Sequence, residues 1–141
     1  MRYDSNQGKR NERIESSMLD DKFRKRVVQK TTLQEDMNGI DRWIDDVAVD
    51  YKKANYKPGV QARQFKRLQQ LQTEIYIYYQ TVENAEGDTL CVYSVTIVRA
   101  HDMYAIMKPQ PRNSNGHEWY GCSWDELLSI AITEDEAFGQ R

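Results

Sequence analysis

The sequence predicts a single mixed α/β (or α+β) domain, with a central mixed sheet of about five strands flanked by helices. Three observations lead there. A helix-period stretch precedes residue 30, a series of short β-rich runs separated by turn signals fills 39–107, and a helix start lies near the C-terminus. The 141 residues suit one compact domain. Hydrophobic residues at 39%, with 9 Tyr and 3 Trp, supply a core of useful size.

Residues 1–10 are polar and are expected to be flexible. A helix is expected over 11–30, because Ile14, Met18, Leu19, Phe23 and Val27 recur at helical spacing. Glu15 falls within the same arc and should face the domain, as do Lys22 and Arg26. Asn38-Gly39 marks a turn. Runs 39–44 and 47–52, separated by Asp45-Asp46, read as an antiparallel hairpin. Pro58-Gly59 breaks the chain, and 60–73 reads as a loop with a short helix. Strands are expected over 74–82, 90–99 and 103–107, with a turn at 84–88 and a loop at 109–116. Ser123 and Glu126 have capping-box spacing, so a helix should begin near Trp124.

Composition narrows the function classes. No apolar run reaches the roughly 20 residues of a membrane-spanning helix, and the N-terminal residues do not resemble a secretory signal. Cys91 and Cys122 are too few for a disulfide framework and lack zinc-site spacing, so a reducing, cytoplasmic setting is the default. With two His, a metal site would have to use carboxylates. The net charge of −2 argues against a strongly basic coat. Yet 51–73 contains no Asp or Glu and carries Lys52, Lys53, Lys57, Arg63, Lys66 and Arg67, while the tail from Asp125 is acidic. Such a segment either makes a local basic surface or is a solvated face.

The informative stretch runs from Gly39 to Lys52. A turn at Asp45-Asp46 pairs Ile44 with Val47, Arg42 with Val49 and Asp41 with Asp50. Alternation then places Ile40, Ile44, Val47, Val49 and Tyr51 on one face, and Asp41, Trp43, Ala48, Asp50 and Lys52 on the other. Two opposed carboxylates would lie about 5 Å apart at Cβ and repel each other. A cation between them removes that cost, and two carboxylates with waters and a substrate phosphate suit Mg²⁺. Lys52, on the same face, can hold an attacking water or offset phosphate charge. The reaction so assembled is phosphodiester hydrolysis. A different register would turn the two Asp to opposite faces and leave only an α+β domain.

These residues resemble the PD-(D/E)XK, or restriction-endonuclease-like, nuclease superfamily in its small phage-type form. Asp41 matches the first acid of that pattern, Asp50 the second and Lys52 the lysine, although Ile40 stands where Pro is usual and Asp50 where Glu is commoner. The segments Glu35–Asp41 and His101–Ile106 also look like parts of such proteins. The resemblance implies a restriction-endonuclease-like sheet, Mg²⁺ or Mn²⁺ as cofactor, and DNA as the usual substrate. It adds Glu15 as a further metal-site carboxylate on the preceding helix. Lys53, Lys57, Arg63, Lys66 and Arg67 follow the triplet and are candidate phosphate contacts. Cutting both strands of a duplex takes two sites, so a homodimer is one expectation. The alternative is an inactive protein of the same fold that binds nucleic acid or a host protein. Asp36 is more readily a loop cap than a ligand. Gln61 and Gln64 could reach a phosphate or base, and Tyr76, Tyr78 and Tyr79 are read as sheet packing.

Overall fold

A computed structural model describes residues 5–67 and 70–140. Its elements in chain order are α1 (Ser5–Lys22), β1 (Val28–Lys30), α2 (Leu33–Met37), β2 (Arg42–Ile44), β3 (Val47–Lys53), β4 (Gly59–Gln61) and α3 (Ala62–Lys66). There follow β5 (Ile75–Glu83), β6 (Thr89–Arg99), α4 (Ala100–Ile106), β7 (Lys108–Gln110), β8 (Trp119–Gly121), α5 (Trp124–Ser129), β9 (Ala131–Ile132) and α6 (Glu134–Phe138). Six strands form a mixed sheet in the order β1-β2-β3-β5-β6-β9, and β4-β8-β7 form a small antiparallel sheet. In the large sheet only β3 and β5 run parallel among the paired strands. Their crossover carries β4 and α3. Among the described residues no helix is long and apolar enough to cross a membrane.

The hairpin forms as its pattern predicts. Arg42 pairs with Val49, Trp43 with Ala48 and Ile44 with Val47. Asp45 and Asp46 take φ of 47° and 67°, the left-handed pair that a two-residue hairpin turn requires. Asp tolerates that region better than most residues, and Asp45 is held in it by accepting from the Val27 N–H and from Arg26 on the neighbouring segment.

Both faces of the large sheet are covered. On one, Leu19 of α1 and Phe23 just beyond it pack against Ile44, Val49, Ile75, Ile77 and Tyr79. On the other, Tyr76, Tyr78 and Val98 meet Met103, Tyr104, Leu127 and the small sheet. Each fully buried Leu or Ile contributes about 2 kcal/mol, so these two clusters hold the strands between them.

Several elements differ from expectation. The helix begins inside the segment expected to be flexible, whose residues 1–4 lie outside the described ones. It ends at Lys22 rather than 30, because the chain tightens into turns at Phe23, Arg24 and Arg26 and Val28–Lys30 pairs with β2 as a strand. Its buried face carries Asn11, Glu15 and Leu19, with Phe23 just beyond its end, whereas Ile14 and Val27 are exposed. Residues 103–107, expected as a strand, are largely helix α4. Ala100, Met103 and Tyr104 are its buried positions, with Met107 buried just beyond its end, which is helical spacing and not alternation. Helices α2 and α6 each start with a capping box, Thr32 with Glu35 and Thr133 with Glu136, as α5 does with Ser123 and Glu126.

Candidate functional site

Asp41 sits one residue before β2, where the ladder to β3 ends. Its N–H donates to the Val49 carbonyl at 2.8 Å, and its carboxylate accepts from the Tyr51 N–H at 2.9 Å. The side chain thus takes the place of a backbone acceptor and is fixed beside Asp50. Asp50 itself is buried at 5% exposure in the middle of β3. Gly39 leads into this arrangement with φ of 84°, and a Cβ there would lie 3.0 Å from Leu71 and 3.2 Å from Thr73. Only glycine meets both demands without strain.

Burial and the neighbouring Asp50 carboxylate push the Asp41 carboxyl far above the usual carboxylate range, and the hydrogen bond between them adds to the rise. The close approach of the two carboxylates is therefore relieved by a proton that Asp41 retains.

On the Asp50 side, a network fixes the rest of the site. Lys52 Nζ lies 3.3 Å from Asp50 Oδ2. Gln64, on α3, donates to the same oxygen at 2.9 Å and accepts from Lys52 at 2.7 Å. Its amide also donates to Tyr76 Oη at 2.9 Å, and Tyr76 and Tyr104 share a 2.6 Å hydroxyl contact. Burial raises the Tyr76 hydroxyl, so it stays a neutral partner. Phe65 anchors α3 by stacking on Tyr120 at 3.9 Å, with Tyr104 edge-on at 5.6 Å. The neighbouring Gln64 is thereby held over β3.

These groups open into a cleft of about 270 Å³ whose walls include Asp36, Asp41, Asp50, Lys52, Arg63 and Arg67. Of the residues singled out in the sequence, the structure brings together Asp41, Asp50, Lys52, Gln61, Arg63, Gln64 and Arg67. Asp36 stands exposed at the rim on α2.

Glu15 and Lys53 lie elsewhere. Glu15 is buried as expected, at 2% exposure, but α1 covers the sheet face opposite to Asp50 and Lys52. Its carboxylate accepts from Tyr79 at 2.9 Å, from Thr89 and from Lys53 at 3.1 Å. Lys53 follows Lys52 in a strand and so points to the other face, where it also meets Glu83 at 2.8 Å. Lys57 donates to Gln110 at 2.6 Å, and Lys66 stands 3.6 Å from Glu118, so both serve the small sheet.

Tyr76 and Tyr104 are site residues that the sequence did not disclose, and Gln64, read there as a candidate phosphate or base contact, bridges Asp50, Lys52 and Tyr76. Nothing in their spacing from Asp50 marks them, because α3 and α4 are brought to β3 only by tertiary packing.

Among the described residues no group of three or more His, Cys, Asp or Glu side chains stands close enough to form a complete metal cage. Two carboxylates still suit Mg²⁺, which keeps several waters and takes its remaining ligands from substrate phosphate. Comparison with protein-family models, with curated proteins and with solved structures finds no match to this chain.

Proposed function

We propose that this protein is a divalent-metal-dependent nuclease of the PD-(D/E)XK kind, hydrolysing phosphodiester bonds, in DNA in the first instance. The observation that supports this best is the pair of half-buried Asp41 and buried Asp50 with Lys52 on the same face, opening into a cleft edged by Arg63 and Arg67.

Asp41 and Asp50 would hold Mg²⁺ or Mn²⁺, the ion replacing the proton that burial favours on Asp41. When bound, the ion polarises the scissile phosphate and makes a bound water more acidic. Water adds to phosphorus and one P–O ester bond breaks, giving a phosphomonoester and an alcohol. Lys52 faces the reacting phosphate and offsets the charge that builds on its oxygens. Gln64 fixes Lys52 and Asp50 relative to each other, so neither has to reorganise during the reaction. Arg63 and Arg67 contact flanking phosphates and position the strand without reading bases.

A second reading keeps the surface and drops the chemistry: a binding protein in which Lys52 serves only to neutralise Asp50. Its supporting observation is that Asp50 Oδ2 is already met by both Gln64 and Lys52. Cation binding separates the two, since a ligand that binds the folded state alone stabilises it. The nuclease reading expects millimolar Mn²⁺ or Ca²⁺ to raise Tm in the wild type and not in Asp50→Ala. A wild type indifferent to both ions favours the binding protein.

A further inference from the structure

A second, larger depression runs along α1. It has a volume of about 860 Å³, and its walls include Lys9, Arg10, Arg13, Lys30 and Arg42. Two acids, Glu12 and Asp20, share it. Among the described residues the ion pairs of this region are Asp21 with Arg24 and Asp20 with Arg42, so Lys9, Arg10, Arg13 and Lys30 face solvent without a carboxylate partner. These four are exposed.

The depression lies on the α1 face of the sheet and the Asp41–Asp50 cleft on the opposite one, and the two are neighbours around the end of β2. An intervening hollow of about 350 Å³ shares Glu12, Ser16, Lys30 and Arg42 with the α1 groove, and Asp36 and Asp41 with the cleft. Arg42 is the junction. Its Nη1 donates to the Asp41 carbonyl at 2.8 Å, its Nε is 3.1 Å from Asp20, and its guanidinium sits 5.8 Å from the centre of the Tyr51 ring. The inner end of the groove is thus joined through backbone to the first carboxylate of the site.

We propose that this groove is the track along which the sugar–phosphate backbone of a single nucleic-acid strand, DNA in the first instance, reaches the Asp41–Asp50 cleft. The proposal rests on the nuclease reading for the chemistry at the end of the track. Unpaired cations in a row attract a polyanion by releasing its condensed counterions. Lys9 and Arg13 are one helical turn apart, about 6 Å along the axis, so they meet successive points on one backbone. A trough with α1 on one side and Lys30 of the edge strand β1 and Arg42 of β2 on the other is suited to one strand, whereas a duplex needs an open face. The stripe also lies across the helix from Asn11, Glu15 and Leu19, which fasten α1 to the sheet, so the cations are carried on a fixed element.

The test is fluorescence anisotropy of a short labelled single-stranded oligodeoxynucleotide in EDTA, over a range of salt concentrations. The combined variant Arg10→Ala, Arg13→Ala, Lys30→Ala should bind at least tenfold more weakly. Its log K against log salt slope should shrink by about two, at about 0.7 for each phosphate no longer neutralised. Lys108→Glu, on the small sheet, should change affinity less than twofold. Unaltered binding in the combined variant, no binding by the wild type, or binding of duplex alone overturns the track. Hydrolysis of thymidine 5′-p-nitrophenyl phosphate with Mn²⁺ separates this from failure of the nuclease reading, because that substrate is too short to need the groove. The combined variant should hydrolyse it at the wild-type rate. If the wild type does not hydrolyse it but the groove variant still binds the oligonucleotide more weakly, the nuclease reading fails and the track stands as a binding surface.

Discussion

Lys52 Nζ lies 3.3 Å from Asp50 Oδ2, the two residues standing two apart on one face of β3. Asp50 is buried, while the Lys52 side chain keeps a quarter of its surface open to the cleft. The ammonium therefore serves a buried carboxylate and still reaches whatever enters the cleft. Gln64 closes the triangle from α3.

The Asp41 proton gives a pH dependence with a definite sign. Burial and the Asp50 carboxylate raise Asp41 from an ordinary value of 3.8 to about 9. A group whose native pKa lies above its unfolded one favours folding below the unfolded value, and that contribution is lost as pH rises through the native value. The metal-free protein should therefore lose stability across this window, while Asp41→Asn, which cannot ionise, should not. Thermal denaturation in EDTA checks this. The wild-type Tm should fall relative to the variant as pH rises, and a difference constant with pH contradicts the raised Asp41 carboxyl.

Replacing Gln64 tests the network. Gln64→Ala removes the partner of Asp50, Lys52 and Tyr76 together. Groups that orient metal ligands typically change activity about 10–100-fold when removed. Cleavage by Gln64→Ala should fall within that range, mainly in kcat, with the Mn²⁺-induced rise in Tm retained but needing more metal. Full activity in this variant shows that Lys52 and Asp50 hold their positions without it.

Glu15→Gln should separate structure from chemistry. The carboxylate accepts from Tyr79, Thr89 and Lys53 in a buried setting. An amide cannot accept all three bonds, and an unmet buried partner costs about 1–3 kcal/mol. Tm should drop by several degrees, while cleavage per folded molecule and the response to Mn²⁺ persist. Loss of the metal response at unchanged stability would return Glu15 to the metal site.

The hairpin was the most legible part of the chain. Alternation of Ile44, Val47 and Val49 against Trp43, Ala48 and Asp50 admits one register that buries the apolar set, and the two strands adopt it. The same alternation separates Lys52 from Lys53, which adjacency in a basic segment groups together. Helix periodicity turned Glu15 inward correctly, but periodicity within one helix does not say which face of a sheet that helix covers. Capping boxes at Thr32 and Thr133 were readable by the rule that located α5, yet they open helices of five residues, too short for periodicity to reinforce. Lys9, Arg10 and Arg13 sit at and just beyond the end of a polar segment that reads as flexible, so their part in a groove emerges only once α1 is laid on the sheet with Lys30 and Arg42 beside it.

Cleavage itself tests the nuclease assignment most directly. Supercoiled plasmid and a labelled single strand would be incubated with Mg²⁺ or Mn²⁺, against EDTA and against Lys52→Ala shown to be folded by circular dichroism. Metal-dependent cutting by the wild type, abolished in EDTA and reduced at least a hundredfold in the variant, is the expected result. Cutting that survives in Lys52→Ala, or no cutting of either substrate by folded wild type with metal present, would contradict it.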